Sequence, residues 1–225
     1  MQKTIRRFLL FLTGINLPAI GIILNTRSDL GVAAFTSFFY ALSKITGIFL
    51  GNSSIIVYFV LILFQFLLLR RLDISVLLQI PFSVVFGMVT DFYDYIIPEG
   101  EFSSVGKLLL LAIAIVLTSI GVYLYTNCRL LMTPVEGMVQ TIADKWNLRF
   151  SLVKNCFDFS MLLLTILVCL FLKQPIYGIG IGTIVSALLL GRIIGVYEKN
   201  FSVFFASVFE SQREKMKNKW NGLAS

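Results

Sequence analysis

Gly21-Ile22-Ile23-Leu24-Asn25-Thr26, with Leu30 after it, returns one hundred residues later as Gly121-Val122-Tyr123-Leu124-Tyr125-Thr126, with Leu130 after it. Each copy is followed by a short apolar segment and then by a second long hydrophobic stretch. Further on the phase slips by four, so that Phe86-Gly87 with Tyr93 aligns with Leu190-Gly191 and Tyr197. Two hydrophobic halves in tandem recur in membrane transporters, which form a site where the halves meet. The repeat is degenerate, so it points to a shared architecture and not to a shared chemistry. It divides the chain into a first membrane repeat over 1–100, a second over 101–199 and a tail over 200–225.

Composition agrees. Of 225 residues 57% are hydrophobic and 21 are Phe, and the mean hydropathy is +0.88. Six stretches, 8–26, 52–69, 75–97, 105–126, 151–172 and 176–197, have the length and low charge of a bilayer span. The expected fold is all-α and integral to the membrane, with no room for a soluble catalytic domain. Met1–Arg7 is basic and precedes an apolar stretch, as a signal peptide does. No small-residue cleavage site follows it, and Gly21 aligns with Gly121, so it reads as the start of the first span.

Segments 31–50 and 130–147 occupy equivalent places in the two halves. The second puts Val135, Met138, Val139, Ile142 and Trp146 on one helical face and Glu136, Gln140 and Asp144 on another. Such a pattern suits a re-entrant or interfacial piece. Charge decides between return and crossing. If both segments return, 13 Lys and Arg, including Arg70-Arg71, face the cytoplasm, and only Arg27, Lys44, Lys107 and Lys173 lie outside. That obeys the positive-inside rule, whereas crossing would carry Arg70-Arg71 outside. Both termini are then cytoplasmic. Three spans per half is an odd number, so the halves become inverted repeats, each with one broken segment. The alternative leaves both segments on the surface as interfacial helices. The tail, with Phe201, Phe204, Phe205, Val208 and Phe209 ahead of Arg213, Lys215, Lys217 and Lys219, reads as an amphipathic anchor for anionic lipid.

The net charge of +7 is a topology signal, and no nucleic-acid partner is expected. The absence of His removes the imidazole base, the Ser-His-Asp triad and the usual zinc clusters. Cys128, Cys156 and Cys169 show no ligand spacing, and no phosphate-cradling loop or nucleophile elbow is present. No cofactor, metal or enzymatic activity is expected.

Ionisable residues at membrane depth therefore carry the functional reading. Asp91 suits a cation or proton, or else snorkels to the outer interface. Lys154 and Asp158 share one helix face, either as a mutual ion pair or with Asp158 exchanging Lys154 for a ligand. Glu136 follows Pro134 in the broken segment, and Arg192 snorkels to the cytoplasmic side. Asp91, Glu136, Lys154 and Asp158 form the candidate polar site for a substrate or ion. Gly178, Gly180, Gly182, Gly191 and Gly195 thin one side of the last span, with Gly87 as their counterpart and Thr183 beside them. These mark where the halves meet.

Thr133-Pro134-Val135-Glu136-Gly137-Met138 resembles the proline, acid, glycine motif of the YczE/YyaS/YitT family of bacterial membrane proteins. Lys154 and Asp158 stand where that family places a basic residue and then an acid. Gly180-Ile181-Gly182-Thr183 with Gly191 resembles its glycine-threonine motif, and Asp29-Leu30-Gly31, Thr46-Gly47 and Asp91 resemble the first-half counterparts. The resemblance covers nearly the whole chain. It implies a polytopic protein of the bacterial inner membrane and leaves the mechanism open.

The reading adopted is a small secondary transporter or permease of unknown substrate, surrounded by membrane lipid and able to form a homodimer. The rivals are an accessory or assembly factor of a membrane complex, a membrane enzyme acting on a lipid, and a vitamin-binding subunit of an ATP-driven importer.

Overall fold

The computed structural model describes the backbone of residues 2–70, 73–128, 132–190, 192–194, 196–197 and 200, and their side chains except those of 2–8, 126–128 and 151. Gly191, Gly195 and the tail over 201–225 lie outside the described residues. Among those described the regular structure is entirely helical. The order is α1 (Gln2–Ser28), α2 (Ala34–Thr46), α3 (Leu50–Leu69), α4 (Ile74–Leu77), α5 (Gln79–Ile96), α6 (Ser104–Cys128), α7 (Pro134–Trp146) and α8 (Phe150–Phe171). A further helix, α9, occupies 181–190. Among the described residues five helical segments are long and apolar enough to cross a bilayer, Leu9–Ser28, Leu50–Leu69, Ile74–Ile96, Ser104–Tyr125 and Leu152–Phe171, while the sixth expected span, 176–197, contains only the shorter helix Ile181–Ile194. The protein is a multi-pass membrane protein.

The two broken segments become helices of equal length. α2 and α7 each have 13 residues. At 1.5 Å per residue that is roughly 20 Å, short of a hydrocarbon core of about 30 Å. α7 starts on Thr133, whose hydroxyl accepts from the Glu136 amide, with Pro134 in the first turn where no amide is needed. Both helices stop at a left-handed residue, Gly47 (φ 73°) and Asn147 (φ 52°).

α2 does not cross. Arg27, in the last turn of α1, binds Asp94 of α5 at 2.7 Å. Gly51, in the first turn of α3, donates its amide to Asp91, one turn earlier on α5. The end of α1 and the start of α3 therefore lie beside the same end of α5, and α2 returns the chain to the end it left. At the opposite end Lys145, in the last turn of α7, donates to the Leu68 carbonyl of α3 at 2.8 Å. Neither short helix lies on the surface: α2 packs on α3 and α8, and α7 packs on α8 and α3.

The helices of the two halves pack reciprocally. α1 runs along α6, where Gly121 meets Pro18 and the Gly14 carbonyl, while Gly21 meets Thr118 and the Ala114 carbonyl. Gly14, Pro18 and Gly21 are each one hundred residues before Ala114, Thr118 and Gly121. Between the halves sits an aromatic core. Phe35 stacks on Tyr58 at 5.9 Å and on Phe157 at 6.0 Å, and Phe82 stacks on Phe86 at 5.8 Å.

The glycines depart from expectation in two ways. Gly178 (φ 73°) and Gly180 lie in a non-helical stretch ahead of α9 and not inside a span. There Val32 donates to the Gly178 carbonyl at 2.8 Å and Gly182 donates to the Leu30 carbonyl at 2.6 Å. These backbone bonds cross between the halves, and the one from Gly182 satisfies an amide that the first turn of α9 leaves free. Gly87 packs against Gly51 and Ile55 of α3, within its own half, so it does not mark the contact between halves.

Candidate polar site

Three of the four proposed charged residues gather on α7 and α8. Pro134 and the Thr133 cap fix the first turn of α7, which carries Glu136. The Tyr125 hydroxyl, from α6, donates to Glu136 Oε1 at 3.0 Å. Lys154 donates to Asp158 Oδ1 at 2.5 Å, four residues along α8, and both side chains are about two-thirds buried. The Lys154 charge also acts on Glu136. Lys154 is thus paired with Asp158, while Glu136 is held by Tyr125 beside the aromatic core. Val153 and Phe157, on the same stretch of α8, are buried within that core. A buried ion pair costs desolvation that only good geometry and further hydrogen bonds offset. Removing Lys154 would leave Asp158 without its partner.

Asp91 does not join them. Its carboxylate accepts from the Gly51 amide, and so caps α3 from a neighbouring helix. A carboxylate at a helix N-terminus satisfies an orphan amide and complements the dipole. This contact accounts for an acid in span Ile74–Ile96 without any ligand. Arg192 is exposed.

The glycine-threonine motif and the Asp29-Leu30-Gly31 motif meet each other. Gly31, at φ 102°, lies against Gly180 and Thr183 with no space for a Cβ. The Thr183 hydroxyl donates to the Gly178 carbonyl and accepts from the Gly180 amide, both at 3.2 Å. Asp29 itself points outward and pairs with Lys107 of α6 at 3.0 Å.

Two buried groups escaped the sequence reading. Gln65 and Gln79 exchange two amide hydrogen bonds at 2.8 and 3.0 Å, and Gln65 also donates to the Pro134 carbonyl at 3.2 Å. The pair sits on Gly137, where a Cβ would strike both amides. They floor a cavity of about 590 Å³ whose walls include Gln140, Thr141 and Asp144. Two glutamines in otherwise apolar spans were the available signal. The other group is Arg27, 8% exposed, which binds Asp94, the Ile97 carbonyl and Glu99, while Lys44 binds Glu99 at 2.9 Å. These contacts tie α1, α2 and the end of α5 together at one end of the molecule.

The chain has relatives among known proteins. A family model described as "Family of unknown function (DUF6198)" matches residues 5–199. The chain belongs to that family. It is also similar to the uncharacterized membrane protein YczE of Bacillus subtilis (strain 168), 28% identical over 198 residues that cover 86% of each chain. To the uncharacterized protein YyaS of the same organism it is 26% identical over 196 residues, 85% of this chain and 92% of the relative. The relationship with YczE and YyaS that the motifs suggested therefore holds. No solved structure matches this DUF6198 chain.

Proposed function

We propose that this protein is a small secondary transporter of the bacterial inner membrane, with both termini cytoplasmic. Its two repeats, 1–100 and 101–199, are inverted about an axis in the membrane plane and rock against each other around the α1–α6 crossing. The observation that carries this reading is the pair of short helices. α2 returns to the end it left, and α7, its equivalent one hundred residues on, is held at the opposite end of α3. Short helices that stop inside a bilayer need protein or a water-filled cavity to receive them. A core that accepts one from each side is suited to opening at either face in turn.

Glu136, Lys154 and Asp158 are the residues assigned to the polar site. The Lys154–Asp158 pair can open so that Asp158 meets a cationic group and Lys154 an anionic one, with Glu136 one helix away. Asp91 is assigned to helix capping and leaves the site.

Two measurements test the reading together. Phe49→Cys, exposed between α2 and α3, should react with a membrane-impermeant maleimide from outside, as should Ser103→Cys. Asn147→Cys should react only from the cytoplasmic side. Labelling of Phe49→Cys from the cytoplasm alone would end the inverted-repeat reading. In proteoliposomes, solute uptake should disappear in Asp158→Asn; uptake equal to that of the parent protein would remove Asp158 from the site.

A further inference from the structure

The second half carries an acid where the first half has none. Tyr125 and Glu136 answer to Asn25 and Thr36, one hundred residues earlier, and neither of these is charged. α2 forms over the same length as α7 without any side-chain cap, so a short helix at this place does not need the acid. In α7 the Thr133 hydroxyl accepts from the Glu136 amide, and a capping box of this sort takes Glu or Gln alike. What separates glutamate from glutamine here is its ionisation.

Four residues act on the Glu136 carboxyl. Tyr125 of α6 donates to it at 3.0 Å, Thr133 reaches it from its own cap, and Lys154 of α8 and Tyr58 of α3 interact with its charge. Lys154 is held by Asp158, and among the described residues no lysine or arginine forms an ion pair with Glu136. The Lys154–Asp158 pair is neutral as a unit, so an ionised Glu136 adds one uncompensated negative charge beside the aromatic core. At membrane depth such a group is relieved by taking up a proton. A route for the proton lies on the same face of α7. Gln140 and Asp144 follow Glu136 at steps of four residues, each a rise of about 6 Å. Gln140 donates to Asp144 at 2.6 Å, and Asp144 is exposed. Both line the cavity of about 590 Å³ that reaches the last turn of α7, and Glu136 stands one turn beyond its wall.

We propose that Glu136 is a proton-binding site, loaded and emptied along the Gln140–Asp144 face of α7, and that the proton is the coupling ion of this transporter. Cavity water carries the proton from Asp144 past Gln140. The Glu136 carboxylate takes it on one oxygen while the other keeps the Tyr125 hydroxyl, and the site then has no net charge. Release along the same face restores the carboxylate. As a coupling ion the proton rests on the transport reading; as a bound ligand of Glu136 it rests on the geometry of α6, α7 and α8.

The test uses the purified full chain in detergent with protons as the probe, followed by infrared difference spectroscopy between about pH 5 and about pH 9. The parent protein should show the carbonyl stretch of a neutral carboxyl that disappears at the alkaline end. Glu136→Gln should lack that band yet melt as the parent does at the acid end, because glutamine keeps the cap and the Tyr125 hydrogen bond. Asp91→Asn should retain the band. Tyr125→Phe should move its frequency, since the hydroxyl partner is gone. Gln140→Leu, with the acid intact, should slow the decay of the band after a pH jump. No titrating band in the parent, or one that survives in Glu136→Gln, overturns the proton site, and an unchanged rate in Gln140→Leu overturns the route. Proteoliposomes with labelled amino acids, sugars and organic cations then separate the two readings. A titrating Glu136 in a protein that moves none of them would end the transport reading and leave the proton site. Uptake indifferent both to an imposed pH gradient and to Glu136→Gln would overturn the coupling and leave transport.

Discussion

Gly121 lies against Pro18 with no room for a Cβ between them. The contact has a counterpart one hundred residues out of step, where Gly21 lies against Thr118. Each helix of the α1–α6 pair thus offers a glycine to the bulk of the other, which lets the backbones approach closely. Gly121→Ala must push a rigid proline ring aside, and should cost about 1–3 kcal/mol by thermal unfolding in detergent. Gly100→Ala, in a loop where a Cβ meets only ordinary contacts, should leave the melting temperature unchanged. Equal behaviour of the two variants would show that the crossing is not tightly packed.

Gly137 is the space that admits the Gln65–Gln79 pair. Gly137→Ala should displace both amides and break the hydrogen bonds between them, at about 2 kcal/mol. Adding Gln79→Ala makes room for the new methyl group. The double variant should therefore be more stable than the sum of the single losses implies. A double-mutant cycle reads this coupling, and simple additivity would show that the glutamines and Gly137 do not share a site.

Asp91 holds the first turn of α3. Asp91→Ala should cost about 1 kcal/mol, the usual worth of a cap, and Asp91→Asn less, since its amide oxygen still accepts from Gly51. Uptake per folded molecule should be unaffected in both. Loss of uptake in Asp91→Asn with stability intact would return Asp91 to the substrate path.

Glu99 lies in the connection after α5, outside the spans. The Lys44 ammonium, through its hydrogen bond and its charge, holds the Glu99 carboxyl below its usual range, and Arg27 adds to this. A carboxyl lowered on folding stabilises the native state above its unfolded value, and that contribution is lost as pH falls through the folded value. The parent protein should melt above Glu99→Gln at pH 7, with the difference closing below about pH 4. The carboxylate is 68% exposed, so the effect is small and should shrink in high salt. A difference that persists in acid would assign the effect to shape and not to charge.

The Lys154–Asp158 pair was legible because both residues belong to one helix, and spacing by four fixes their contact. The cap made by Asp91 was not. Its partner amide lies forty residues away on another helix, and backbone amides carry no mark in a sequence. Charge drew attention to Asp91, while Gln65 and Gln79, neutral and in separate spans, drew none. The Gly178 and Gly180 stretch has the composition of a close helix contact. Its unwinding follows from backbone bonds to Leu30 and Val32, residues nearly 150 positions earlier.

By itself the sequence determined the membrane class and five of the six expected spans; the sixth, expected over 176–197, is a shorter helix among the described residues. It also determined the two short helices at equivalent positions, because each of these follows from hydrophobic length, local spacing or self-similarity. Only the tertiary structure decided that α2 returns to its own end, that Asp91 caps α3, and that Asn25 Oδ1 is left without a partner among the described residues. Those facts depend on which side chains meet across the α1–α6 crossing and around the aromatic core. Residues one hundred positions apart share a place in the repeat, but the pairs they form there differ with the length and polarity of each side chain.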